Sequence, residues 1–96
     1  MKITLVPHLE FRLKIRKIPR SYPKLIFQKP DQKFLDAETG HKIAIKRLEY
    51  NEKVRPLVIS YDIIEKEIEI ITIHPISEKE IENRVKRERW INDEED

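Results

Sequence analysis

The chain contains no cysteine, one glycine and one tryptophan among its 96 residues. Without cysteine it has neither disulfides nor thiolate metal sites, a composition typical of a reducing interior. A single glycine excludes a glycine-rich phosphate loop and a dinucleotide-binding fingerprint. The histidines, at positions 8, 41 and 74, lack the spacing of metal ligands. We therefore expect neither a cofactor nor a bound metal.

Long apolar runs are also missing. No segment approaches the roughly 20 apolar residues of a membrane span, and no signal-peptide core is visible. We expect a cytoplasmic protein with no membrane partner. The 39% hydrophobic content predicts a single domain over residues 1–96, with its core at about 2–91 and a flexible acidic tail at 92–96. The 40% charged content resembles thermophile usage.

Charge is distributed unevenly along the chain. Residues 1–60 carry 14 Lys or Arg and 6 Asp or Glu, whereas residues 61–96 carry 6 and 12. Such polarity steers an anionic ligand toward one part of the surface and a basic partner toward the other. The alternative is chance clustering together with an acidic end.

Hydrophobic patterning predicts an α+β fold in which N-terminal helices pack on a four-stranded, mainly antiparallel twisted sheet, followed by a C-terminal helix. A two-residue connection at 65–66 joins the two strongest strand patterns. Gly40 favours a tight turn in the hairpin that precedes them. Ser77 begins a capping box and therefore marks the start of the last helix. The predicted elements are an edge strand at 2–6, helices at 7–18 and about 19–27, strands at 32–37 and 41–48, a polar loop at 49–54, strands at 55–64 and 67–74, and a helix from Ser77 to about Ile91.

The first helix carries an unusual basic stripe of His8, Arg12 and Arg16. At roughly 100° per residue, the stripe falls opposite the predicted solvent face, which consists of Glu10, Lys14 and Lys17. It lies between two apolar strips. One strip is Phe11, Ile15 and Ile18, and the other is Leu9 and Leu13. A buried charge without a partner is costly. Two interpretations stay open: carboxylates from the sheet neutralise both arginines, or the stripe binds an anion, such as a phosphodiester.

Cleavage of RNA through its ribose 2′-OH needs a base, an acid and cations around the phosphorus. His8 is a candidate acid or base because imidazole titrates near neutral pH, and Arg12 and Arg16 could hold the phosphate with forked donors. Arg55 and His74 are further candidates from the two central strands. Strict alternation places His74 on a sheet face that could lie beneath the first helix; the alternative is a histidine at the strand end.

The stripe and the later strands resemble a family known as domain of unknown function 4258, over about residues 8–76. Members show a His and two Arg four residues apart on the first helix, then a Gly-Ile pair, a strand with a basic residue ahead of apolar ones, and a last strand rich in Ile and Thr. The corresponding features here are His8-x-x-x-Arg12-x-x-x-Arg16-x-Ile18, Arg55 ahead of Leu57-Val58-Ile59, and Ile70-Ile71-Thr72-Ile73. Lys17 stands where glycine is usual, so the turn after the first helix could differ.

The family is similar in predicted architecture to RelE-like and BrnT-like ribonuclease toxins. The resemblance implies a metal-independent endoribonuclease that acts on RNA and pairs with a small antitoxin-like protein. Two alternatives come from other classes: a non-catalytic nucleic-acid-binding module, and a protein-interaction domain with a structural His/Arg network. A homodimer, with the acidic C-terminal segment against the basic face of a second copy, is a further hypothesis.

Overall fold

The computed structural model describes residues 2–93, an α+β fold with three helices and a six-stranded mixed sheet. In chain order the elements are β1 (Lys2–Leu5), α1 (Pro7–Arg16), α2 (Tyr22–Gln28), β2 (Gln32–Asp36), β3 (Lys42–Tyr50), β4 (Lys53–Ile64), β5 (Glu67–Pro75), α3 (Glu78–Lys86) and β6 (Trp90–Asn92). The described part of the chain has no helix with the length and apolarity needed to cross a membrane.

The sheet has the strand order β1-β5-β4-β3-β2-β6, with β1 parallel to β5 and every other pair antiparallel. The predicted four-stranded sheet is therefore too small, although its strands form the centre. The predicted edge strand joins as β1, and it pairs with β5 only over residues 67–70. Among the described residues, no strand pairs with the remainder of β5, from Ile71 onward, on that edge.

Tight turns join the central strands. The predicted polar loop at 49–54 is instead a two-residue turn, because Asn51 and Glu52 adopt left-handed φ angles of 53° and 64°. The twist of such a turn matches that of the flanking strands. As predicted, Glu65 and Lys66 form the other short connection, also at positive φ.

Helices cover both faces of the sheet. One core cluster lies on the face covered by α1 and α2, where Leu9, Leu13 and Ile26 pack on strand residues such as Ile59 and Ile70. The second lies on the opposite face beneath α3 and consists of Phe34, Ile43, Ile45, Val58, Ile76, Ile81 and Trp90. Two packed layers explain why the central strands are apolar on both sides.

The C-terminal segment differs from the predicted helix. Ser77 caps α3 as predicted, its hydroxyl accepting a 3.0 Å hydrogen bond from the Glu80 N–H. The helix ends at Lys86, because Glu88 takes a left-handed φ of 60° and redirects the chain. Trp90 then stacks on Phe34 at 5.4 Å between ring centroids, and residues 90–92 pair with β2.

The predicted acidic tail begins within this ordered part. Asn92 belongs to β6, and Asp93 forms a 2.8 Å ion pair with Lys42. Residues 94–96 lie outside the described residues.

Candidate functional site

The end of α1 has the turn that glycine favours, although lysine occupies the position. Lys17 adopts the left-handed conformation with φ 56° and ψ 41°, and the Ile18 N–H donates to the Leu13 carbonyl oxygen at 3.0 Å. This is the hydrogen-bond pattern of a Schellman cap. Ile18, predicted inside the helix, therefore lies beyond its end, where it is buried in the core.

α1 docks on the sheet through a single apolar strip. Leu9 and Leu13 are buried, whereas Phe11 and Ile15 are 61% and 63% exposed. The predicted strip of Phe11, Ile15 and Ile18 is therefore not buried as a unit: Phe11 and Ile15 face solvent, and only Ile18, beyond the helix end, is buried. The basic stripe is correspondingly less buried than expected.

The basic stripe follows the side of α1 that faces the uncovered edge of β5. His8 and Arg12 are exposed and Arg16 is half-buried. Arg16 reaches furthest toward the sheet, and its Nη1 donates a 3.0 Å hydrogen bond to the carbonyl oxygen of Ile73. Arg12 Nε donates a 2.9 Å hydrogen bond to His8 Nε2.

In the described part of the chain, neither arginine of the stripe has a carboxylate partner. Within residues 2–93 every ion pair involves other cations, so the predicted carboxylate network around Arg12 and Arg16 is not observed. By contrast, Arg47 holds Glu78 through hydrogen bonds of 2.6 and 2.9 Å. The acidic C-terminal region thus neutralises part of the basic region within the molecule and leaves the stripe free.

A β-bulge determines the position of His74. Ser60 pairs with Thr72 and Tyr61 with Ile70, so Ile71 is an extra residue on β5. The bulge reverses the alternation, and His74 lies opposite Val58 on the face of α3. The expectation that its face lies beneath α1 is therefore wrong, because an inserted residue exchanges the two faces of the strand.

His74 nevertheless reaches the stripe, because the edge of β5 is open there. Burial lowers its pKa below the usual 6.5, the Arg16 and Arg84 guanidinium groups lower it further, and Glu80 partly opposes them. A neutral imidazole at physiological pH is therefore held beside two cations.

These side chains line one cleft of about 310 Å³, named here the α1 cleft. Four of the five candidate residues line it together, namely His8, Arg12, Arg16 and His74. Residues 71–73 of β5 also line the cleft. Arg55 does not line it. It packs over the Tyr50 ring at 5.9 Å, and Tyr50 in turn donates a hydrogen bond to the Arg16 carbonyl oxygen.

Sequence reasoning missed a second polar group on the α3 face. His41 is half-buried, and its Nδ1 lies 2.7 Å from Asp62 Oδ1. Ser60 and Thr72 share a 2.6 Å hydrogen bond between their hydroxyls. Cross-strand register joins these residues, and no local sequence signal marks it. No group of three or more candidate metal ligands occurs within residues 2–93.

Searches of protein-family models, of curated proteins and of solved structures find no match to this chain. The resemblance to domain of unknown function 4258 therefore stays a prediction.

Proposed function

We propose that the α1 cleft binds a phosphodiester of RNA and cleaves the strand without a metal ion. The observation that carries the proposal is the pair of unneutralised guanidinium groups, Arg12 and Arg16, beside the neutral imidazole of His74. Guanidinium groups present forked donors that match phosphate oxygens. In the free protein the hydrogen bonds that these donors make within residues 2–93 go to one imidazole nitrogen and one backbone carbonyl oxygen.

The residues of the cleft can supply each step of the reaction. His74 accepts the proton of the 2′-OH, whose oxygen then forms a bond to phosphorus. The bond from phosphorus to the 5′-oxygen breaks, and protonated His8 gives that oxygen its proton. Arg12 and Arg16 hold the nonbridging oxygens as negative charge develops. The products are a 2′,3′-cyclic phosphate and a free 5′-hydroxyl.

Phosphate binding also frees the acid. A bound phosphate replaces His8 Nε2 as the acceptor of Arg12 Nε, which releases the imidazole to carry a proton.

A toxin-like role, of the RelE or BrnT type, is part of the proposal, with a small antitoxin-like protein as partner. The exposed Phe11 and Ile15 support this part, because they leave apolar surface beside the basic stripe. Expression of the active protein in bacteria should arrest growth, and Arg12→Ala should remove the arrest.

The test is incubation of purified protein with labelled mixed-sequence RNA in EDTA. We expect cleavage that Arg12→Ala and His74→Asn abolish and that Lys14→Ala, on an exposed part of the same helix, leaves intact. Binding without cleavage would instead make the chain a nucleic-acid-binding module. Neither binding nor cleavage would reject the proposal in favour of a protein-interaction domain.

A further inference from the structure

A second cleft, of about 180 Å³, lies on the opposite face of the sheet; we name it the α3 cleft. Thr72 and His74 line both clefts, so the two meet across the open edge of β5. Hydroxyl, imidazole and guanidinium groups line the α3 cleft, together with the only tryptophan in the chain and the buried carboxylate of Asp36. The first four kinds of group come from Ser60, Thr72, His74, Arg84 and Trp90.

Trp90 presents a hydrogen-bond donor without an acceptor. The residue is only 2% exposed, and its indole Nε1 is buried with no partner. A buried donor left unpaired is costly, and native structures rarely contain one without a reason. A ligand oxygen in the α3 cleft would supply the missing acceptor.

Arg84 provides positive charge at the same place. Its guanidinium lies 4.9 Å from the centroid of the Trp90 ring, and it lines the α3 cleft together with Thr72 and His74, the residues shared by the two clefts. Within residues 2–93 its carboxylate partner is Glu80, whose side chain is 49% exposed. The other cation of the cleft, Arg89, is held by Asp36 and Glu38.

We propose that the α3 cleft binds a second phosphate of the same RNA strand, next to the one held in the α1 cleft, through Arg84 and the Trp90 indole N–H. This inference rests on the proposed function, and it adds that the substrate crosses the open edge of β5. A strand bound in this way passes over Thr72 and His74, so the base His74 lies between two adjacent phosphates. The minimum good substrate then carries two phosphates rather than one.

The single tryptophan makes the experiment direct, because the chain has one indole N–H resonance. The probes are a dinucleotide with a 2′-deoxy sugar ahead of the internal phosphate, which blocks cleavage, and the same dinucleotide with an added 5′- or 3′-phosphate. We expect one added phosphate to shift the indole resonance and to tighten binding about tenfold, the factor of one charge-assisted hydrogen bond. Arg84→Gln should abolish both effects.

Two further variants separate the two clefts. Arg87→Gln removes an exposed arginine from the end of α3 and should retain the tenfold gain. Arg12→Gln should weaken binding of every dinucleotide while retaining the gain and the indole shift. Trp90→Phe keeps an aromatic ring without the N–H, and calorimetry should show a reduced gain.

The outcomes distinguish this inference from the proposed function. If the unphosphorylated dinucleotide binds and Arg12→Gln weakens it, but added phosphate neither shifts the indole nor tightens binding, the inference is overturned and the α1 cleft stands. If the gain persists in Arg84→Gln, the second phosphate lies elsewhere and the inference is overturned. If no dinucleotide binds, both fail together.

Discussion

Arg16 Nη1 donates a 3.0 Å hydrogen bond to the carbonyl oxygen of Ile73, on the stretch of β5 that β1 leaves uncovered. The bond protects an exposed sheet edge and ties the basic stripe to the strand that bears His74. One side chain therefore serves both the fold and the candidate site.

Replacement of Arg16 tests this dual role. Arg16→Met keeps an apolar stem but leaves the Ile73 carbonyl without its donor, so we expect the free energy of unfolding to fall by about 1 kcal/mol. Urea denaturation measures it. Arg12→Met is the matched control and should change stability little, because Arg12 is exposed and bonds only to His8. Equal effects of the two variants would contradict the assignment.

Arg12→Ala distinguishes a ligand site from a structural network. Breaking a buried ion network would cost about 3–5 kcal/mol. Since Arg12 is exposed and has no carboxylate partner among residues 2–93, we expect a change within about 0.5 kcal/mol, together with loss of RNA cleavage. Thermal and urea unfolding provide the measurement. A loss of several kcal/mol would support the network instead.

The lowered pKa of His74 predicts a pH dependence of stability. Near pH 6.5 the unfolded chain takes up a proton at this residue, while the native state binds it only at lower pH. The unfolded state therefore binds more protons in this window, and the free energy of unfolding falls as the pH drops from about 6.5 toward the native pKa. His74→Asn removes this contribution.

The measurement is urea unfolding of the wild type and His74→Asn between about pH 5 and 8. The difference between the two proteins should be constant above about pH 6.5 and should move against the wild type as the pH falls through the window. The other two histidines are common to both proteins, so the comparison isolates His74. Parallel curves over the whole range would show that His74 titrates normally.

Substitution of Trp90 tests whether the unexpected sixth strand, β6, forms in solution. Trp90 is buried against Phe34, so Trp90→Ala should destabilise the protein by about 3–5 kcal/mol. Ile91→Ala, at a 50% exposed neighbour, should cost far less. Similar values at the two positions would favour the predicted helix, in which Trp90 need not occupy the core.

Lys17 tests the cap of α1. A residue with a side chain is strained in the left-handed region, and Lys17→Gly relieves that strain. Glycine also makes the unfolded chain more flexible, which offsets part of the gain. The net increase in the free energy of unfolding should be about 0.5–1 kcal/mol. Lys14→Gly, inside α1, should lower it by about 1 kcal/mol. Destabilisation by both glycines would show that the left-handed turn is absent in solution.

Several elements follow from local signals. The two-residue connection at 65–66, the Ser77 cap and the spacing of His8, Arg12 and Arg16 were all predictable, because turn residues, caps and helical periodicity act within a few residues. Helical periodicity also groups His8, Arg12 and Arg16 on one side of α1. It does not determine how deeply that side is buried, since Phe11 and Ile15 could have docked equally well by hydrophobicity alone.

By itself, the sequence determined an α+β domain of antiparallel central strands and a helix bearing one histidine and two arginines in register. Tertiary structure alone decided what surrounds them. The Ile71 bulge exchanged the faces of β5, the partial cover of β1 left an edge open for Arg16, and strand β6 brought Trp90 beneath Arg84. Each of these three features depends on pairing between segments that are distant in the chain. Register and burial there are determined by the packing of the whole sheet, because no local sequence pattern specifies which segments pair.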